Sequence, residues 1–281
     1  MKGSVRTRAR PPRHSEVGQG SGVEVREHPV AMSIRGALLV TAFPTAGLAG
    51  TIACRYLVQT LAMEPIGYLE VAGMDPVVYV ESGVGRPCLS LYATQAACGV
   101  DGKCDQLVIM YSDLTPPANW LRPLARALLD WSLRHKVDSL VTLEGYSSAQ
   151  EPEPGANSTA HPNVMGITNG PGEKLLNALR VDRMTGLVTG FSAALLMETQ
   201  KDPFPVAGLV VESHKDQPDA RAAAALVEDL AHLLPLLKID PEPLRAEADL
   251  LEKAVRTNRA SSERGREYSP PLGPPAPGMY R

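Results

Sequence analysis

The sequence predicts an α/β fold, one sheet with helices on both faces, and three observations carry the prediction. Short apolar runs rich in Val, Leu and Tyr alternate along the chain with segments of helical period. Gly, Pro and Asp stand at the borders of these runs, where turns belong. At 281 residues and 44% hydrophobic, the chain can bury a sizeable core as one domain with flexible ends.

In chain order, Ala37 to Val40 is a continuous apolar strand, punctuated by Pro44, and Gly47 to Leu61 has a helical period with Leu48, Ile52 and Tyr56 on one stripe. Strands follow at Ile66 to Val71, Val77 to Val80, Cys88 to Tyr92 and Gln106 to Tyr111. Pro116 and Pro117 introduce a helix to about Lys136, with Trp120, Leu124, Leu128 and Trp131 along its apolar face. Val137 to Leu143 reads as a buried strand, and the Ser, Pro and Gly from Tyr146 to Pro162 as a loop. A strand near Val164 to Thr168, a helix opening near Gly172, short apolar runs at Leu187 to Thr189 and Ala193 to Met197, and a strand at Val206 to Val211 continue the alternation. Leu226, Leu230, Leu233 and Leu237 mark an amphipathic helix that Pro235 should end or kink. Asp240 and Pro241 cap and start a last helix with the stripe Leu244, Ala248, Leu251 and Val255.

A formal charge of −3 supplies no positive field for nucleic acid or an acidic membrane, so neither is an expected partner. The apolar runs are well short of the roughly 20 residues of a spanning helix. Cys54, Cys88, Cys98 and Cys104 follow no secretory hydrophobic region, which points to reduced thiols in the cytoplasm rather than a disulfide framework. Cys98 and Cys104 could approach in a turn, but they lack the paired spacing of a zinc site, so no metal or other cofactor is expected. Residues 1–34 read as a disordered basic extension with Lys2, Arg6, Arg8, Arg10 and Arg13, and a start of translation at Met32 fits the same pattern.

The run Thr41-Ala42-Phe43-Pro44-Thr45-Ala46-Gly47-Leu48-Ala49-Gly50-Thr51-Ile52-Ala53, continuing through Tyr56-Leu57 to Glu64-Pro65-Ile66-Gly67, resembles the signature of the proteasome-assembly-chaperone family. Gly186-Leu187-Val188-Thr189-Gly190, Ala194-Leu195-Leu196, Glu212 and Asp219-Ala220 extend the resemblance, framing a domain over 35–257. It implies a three-layer α/β/α sandwich of phosphorylase/hydrolase-like architecture, used for protein binding and homo-oligomer formation rather than chemistry. The Phe43-Pro44-Thr45-Ala46-Gly47 form is similar to archaeal members.

Residues 258–281 are polar and then Pro-rich, an extended tether ending Met279-Tyr280-Arg281. Some archaeal relatives end in a hydrophobic residue, Tyr and any residue, the C-terminal motif of proteasome activators, so the resemblance makes Met279, Tyr280 and Arg281 the docking residues for the α subunits of the core particle. Composition alone yields such an ending in roughly one chain in eighty. Physically, a terminal carboxylate can pair with a lysine while the Tyr ring fills an apolar pocket, and several tails on one oligomer add avidity.

The enzymatic alternative is a phosphorylase- or hydrolase-like activity using the Gly47/Gly50 turn or Ser147. The turn has neither phosphate-loop pattern, so small residues packing helix on strand are the expected role. Gly145-Tyr146-Ser147-Ser148-Ala149 approximates a nucleophile elbow with His161 and His214 as candidate bases, but a loop-forming stretch follows where the elbow needs a helix. The function predicted is therefore that of an ATP-independent assembly chaperone or activator of the core particle.

Overall fold

A computed structural model describes residues 22–29, 33–147, 162–215, 217–246 and 248. Its strands are β1 Val23–Glu27, β2 Ala37–Ala42, β3 Glu64–Val71, β4 Val78–Glu81, β5 Val84–Pro87, β6 Leu89–Cys98, β7 Cys104–Ser112, β8 Ser139–Tyr146, β9 Val164–Thr168, β10 Asp182–Arg183 and β11 Val206–Glu212. Its helices are α1 Ala49–Thr60, α2 Leu121–Arg134, α3 Glu173–Leu179, α4 Gly190–Glu198 and α5 Ala220–Leu230. Nine strands form one sheet in the order β1-β3-β6-β7-β2-β8-β11-β9-β10, while β4 and β5 form a separate ribbon. The centre, β7-β2-β8-β11, is parallel, and the β1-β3-β6-β7 flank is antiparallel.

Strand alternation divides the core in two. Leu38 and Val40 of β2 and Leu107 and Ile109 of β7 face α1, α3 and α5, where Leu57, Leu176 and Leu226 are buried. Ala37 and Leu39 of β2 and Val108 and Met110 of β7 face α2 and α4, where Leu128, Trp131 and Leu195 are buried. A sheet buried on both faces needs strands that are apolar at every position, which is why β2 reads Ala-Leu-Leu-Val-Thr-Ala. This is the expected α/β/α sandwich.

Four expectations are corrected. The N-terminal extension is not featureless: Val23–Glu27 forms β1, pairing antiparallel with β3 from Val23↔Val71 to Glu27↔Gly67. Val23 and Val25 alternate inward between exposed Glu24, Arg26 and Glu27, a half-buried edge whose charges mask its period. Leu187 to Thr189 lies in no strand, with Leu187 96% exposed. Cys98 and Cys104 are not separate thiols but a disulfide, because the β6–β7 register sets them opposite each other, with Cα atoms 5.0 Å apart, across a turn in which Gly99 and Gly102 take positive φ. The helix at Leu226 stops at Leu230 and tightens into a 3-10 turn over Ala231–Leu233, before Pro235 is reached.

Among the described residues, no helix is long and apolar enough to cross a membrane, and no group of three or more His, Cys, Asp or Glu could hold a metal ion.

Candidate docking segment and the cleft at the strand ends

Met279, Tyr280 and Arg281, with the Pro-rich stretch before them, lie outside the described residues, as do Leu251 and Val255. What the structure does place is the root of that segment. Residues 242–246 are helical, and Leu244 and Ala248 are buried. Leu244 sits in the core face shared with α1 and α5. The Tyr56 hydroxyl of α1 donates to the Asp240 carbonyl, and Arg245 pairs with Glu228 of α5 and, at 3.4 Å, with Glu242.

The Gly47/Gly50 turn joins β2 to α1 at the C-terminal ends of the parallel strands. Gly47 has φ +64°, and a Cβ there would strike the Ser213 hydroxyl and the Asp219 side chain. A Cβ on Gly50 would strike the carbonyl oxygen of Leu143 in β8. Both glycines therefore exist for close approach, the packing role expected of them. The turn is further tied down: the Gly145 amide donates to Thr45 Oγ1 at 2.9 Å, the Asp219 amide donates to the Gly47 carbonyl at 2.8 Å, and the Leu48 amide donates to the Thr45 carbonyl at 3.0 Å.

Ser147 follows β8 directly, and His214 follows β11 at the neighbouring strand end, where Tyr146 and Glu212 are register partners. His161 and the stretch in which an elbow helix would fall lie outside the described residues. Asp219 is fully used by the fold. Its Oδ1 accepts from the Ala222 amide at 2.9 Å, capping α5, and its Oδ2 faces the His214 amide at 3.1 Å and ring Nδ1 at 2.8 Å.

Thr45, Glu144, Ser147, Leu187 and Gly190 help to line a cleft of about 330 Å³ at this end of the sheet. Glu144 was not anticipated from sequence. It is buried, and its Oε1 accepts from the Ser192 amide at 2.8 Å in the first turn of α4. Burial pushes its carboxyl above the usual range, partly offset by hydrogen bonds from Ser192 and Phe191. An acid closing an apolar strand was the one available signal, and its helix partner is visible only in three dimensions.

The model of the PAC2 family matches residues 39–258, most of the chain. This chain belongs to the PAC2 family. The match begins inside β2 and takes in every described element after it, so that β1 stands before it. Among curated relatives, the protein MJ0106 of Methanocaldococcus jannaschii is 26% identical over 221 residues, 78% of this chain and 84% of that one. The crystal structure of Pyrococcus furiosus PbaA, an archaeal homologue of proteasome-assembly chaperone, superposes with a TM-score of 0.71 at 26% identity, covering 88% of this chain and 95% of PbaA. Pyrococcus furiosus PbaB, an archaeal proteasome activator, has a TM-score of 0.69 at 19% identity, covering 85% of this chain and 99% of PbaB, a likeness of fold.

Proposed function

We propose that this PAC2 protein is a non-enzymatic, ATP-independent partner of the proteasome core particle. It acts as an assembly chaperone or an activator, works in the cytoplasm as a homo-oligomer, and docks on α subunits through Met279, Tyr280 and Arg281. The observation that carries this reading is the likeness to PbaA, which joins sequence identity to a shared fold over nearly the whole of both chains. The glycine turn supports the non-enzymatic part, since its close approaches serve helix–sheet packing. The C-terminal sequence supports the docking part: Pro270, Pro271, Pro274, Pro275 and Pro277 precede Met279-Tyr280-Arg281, whose Met and Tyr side chains suit an apolar pocket. Without an ATPase module, gate opening would have to come from tighter binding to the open state of the particle.

The test is peptide hydrolysis by an archaeal core particle, with a pull-down, using the intact protein and a version lacking Met279 to Arg281. Binding and stimulation by the intact protein alone support tail docking and activation together. Binding without stimulation selects the chaperone, and absence of binding by either form sinks the proposal.

A further inference from the structure

Docking through a C-terminal segment makes no use of the cleft at the C-terminal ends of β8 and β11. Its volume, about 330 Å³, lies within the range of sites that hold small molecules. Met184, Leu187, Val188 and Val210 give it an apolar wall, and Glu144, only 7% exposed, is set into that wall. The register of β8 with β11 makes Val210 the partner of Glu144, so an acid occupies a strand position whose neighbours are aliphatic. Burying a carboxylate is costly unless polar or charged partners offset the lost water. The Ser192 amide supplies one hydrogen bond, to Oε1 at 2.8 Å. Both carboxylate oxygens lie against Gly190, where a Cβ would stand 3.5 Å from Oε1 and 3.6 Å from Oε2, and a glycine has no side chain with which to cover them.

Charge narrows what this cleft can take. No Lys, Arg or His is found among the described residues that line it. The residues around Glu144 are uncharged as well: Leu209, Val210 and Val211 on β11, Thr45 in the turn before α1, and Phe191 and Ser192 on α4. The next titratable groups are the Tyr146 phenol, raised by burial and by the charge of Glu212, and His214, which is turned to Asp219 at 2.8 Å. A phosphate or carboxylate ligand would therefore meet acids and no cation. A hard metal ion needs several oxygen ligands, and no group of three or more His, Cys, Asp or Glu is available among the described residues. An organic cation with an aliphatic body satisfies both the acid and the wall.

We propose that the cleft binds an alkyl ammonium group, its head paired with the Glu144 carboxylate and its chain lying on Met184, Leu187, Val188 and Val210. The inference goes beyond the proteasome reading and does not depend on it. An ammonium at Glu144 supplies the charge partner that burial otherwise denies the carboxylate. Binding and ionisation of Glu144 are therefore linked, and a bound amine displaces the proton that the raised carboxyl holds.

Titration calorimetry on the full chain with hexylamine, hexan-1-ol and hexanoate tests this. Hexylamine should bind at least about tenfold more tightly than the other two, the worth of a charge-assisted hydrogen bond. Its affinity should rise from pH 5 to pH 8 as Glu144 ionises, and E144Q should lose about tenfold and flatten that profile. L187R, at an exposed position, should keep the wild-type circular-dichroism spectrum and weaken hexylamine by setting a second cation at the cleft. If E144Q does not fold, L187R and the preference for hexylamine over hexan-1-ol decide. A lysine capped at both ends separates two sources of the same group: tighter binding than hexylamine assigns the lysyl side chain of a protein, and weaker binding assigns a free amine. Equal affinity for hexan-1-ol and hexylamine overturns the proposal, as does wild-type affinity in a folded E144Q or in L187R. Absence of heat from both hexylamine and the capped lysine overturns it too.

Discussion

The indole Nε1 of Trp131 donates to Glu27 Oε1 at 2.9 Å, and His135 Nε2 lies 2.7 Å from the same oxygen. A fully buried residue of α2 thus finds its polar partner on the edge strand β1, outside the span matched to the family. The edge strand is therefore part of the fold and not an appendage to it.

Glu27→Ala leaves the Trp131 N–H without its partner, a loss of about 1–3 kcal/mol for a buried donor. For a domain of this size that lowers Tm by roughly 2–12 °C, whereas Glu27→Gln keeps an acceptor oxygen and should lose less. A chain begun at Met32 lacks all of β1, bares the outer edge of β3 and should melt lower still. Thermal melts of the three variants order these effects, and equal melts for Ala and Gln would deny the bond its role.

How much of this was legible depended on whether local pattern and tertiary role agreed. β2 and α2 were readable because an uninterrupted apolar run and a helical stripe each correspond to one way of burying side chains. β1 was not, because its inward Val23 and Val25 are outnumbered by charge. Leu187 to Thr189 misled for the opposite reason, apolar residues spent on an exposed connection between Gly186 and Gly190. β5 carries Gly85 and Pro87, which argue against a strand, and only its register with β4 shows the ribbon. The packing role of Gly47 and Gly50 was readable from the absence of a phosphate-loop pattern, but the atoms they make room for were not. Glu144 acquires its meaning from α4, almost 50 residues further on, and the docking residues lie outside the described structure.

Gly50→Ala should be among the more damaging small substitutions. The added methyl meets a backbone carbonyl of β8, which cannot swing aside as a side chain would, so α1 must lift from the sheet. Overpacking of this kind costs about 1–3 kcal/mol. Urea unfolding should show a lower midpoint, and an unchanged midpoint would mean the helix shifts freely.

Glu144 gives the protein a defined pH dependence. Burial raises its folded pKa above that of the unfolded chain, so the folded state holds the proton more tightly. The resulting stability is fully present below the unfolded pKa, near 4.5, and is lost as pH rises through the raised folded value. Glu144→Gln removes this titration. The Tm of wild type minus that of the variant should therefore be more positive at pH 4 than at pH 7, with other groups cancelling in the difference. A constant difference would show that the carboxyl does not titrate in this window.

Asp113 takes charge from two arginines at once, and its removal leaves Arg55 with the Tyr79 hydroxyl and Arg86 with Glu81 at 3.9 Å. Breaking a buried pair costs 3–5 kcal/mol, and the partial exposure of Arg55 and Arg86 reduces this to about 2–3 kcal/mol for Asp113→Asn. Because Tyr79 and Arg86 hold β4 and β5 to the body, amide exchange should accelerate first in β4 and β5. Uniform acceleration across the sheet would place the damage in the core instead.

The Cys98–Cys104 bridge closes a short loop, and the body packs directly on it: the Gly99 amide donates to the Leu233 carbonyl at 2.8 Å, and Leu233 belongs to the same core face as Leu244 at the root of the C-terminal segment. Chain-entropy scaling assigns a loop of this length about 2 kcal/mol. Wild type should therefore melt lower in dithiothreitol than without it, and the double substitution Cys98→Ser/Cys104→Ser should be insensitive to the reductant. Cys54 and Cys88 are buried thiols, with burial raising the pKa of both, so they should contribute nothing to that difference. If wild type melts identically in both conditions, the two sulfurs are reduced in the protein as prepared, and the turn is held by the β6–β7 pairing and the Leu233 contact alone.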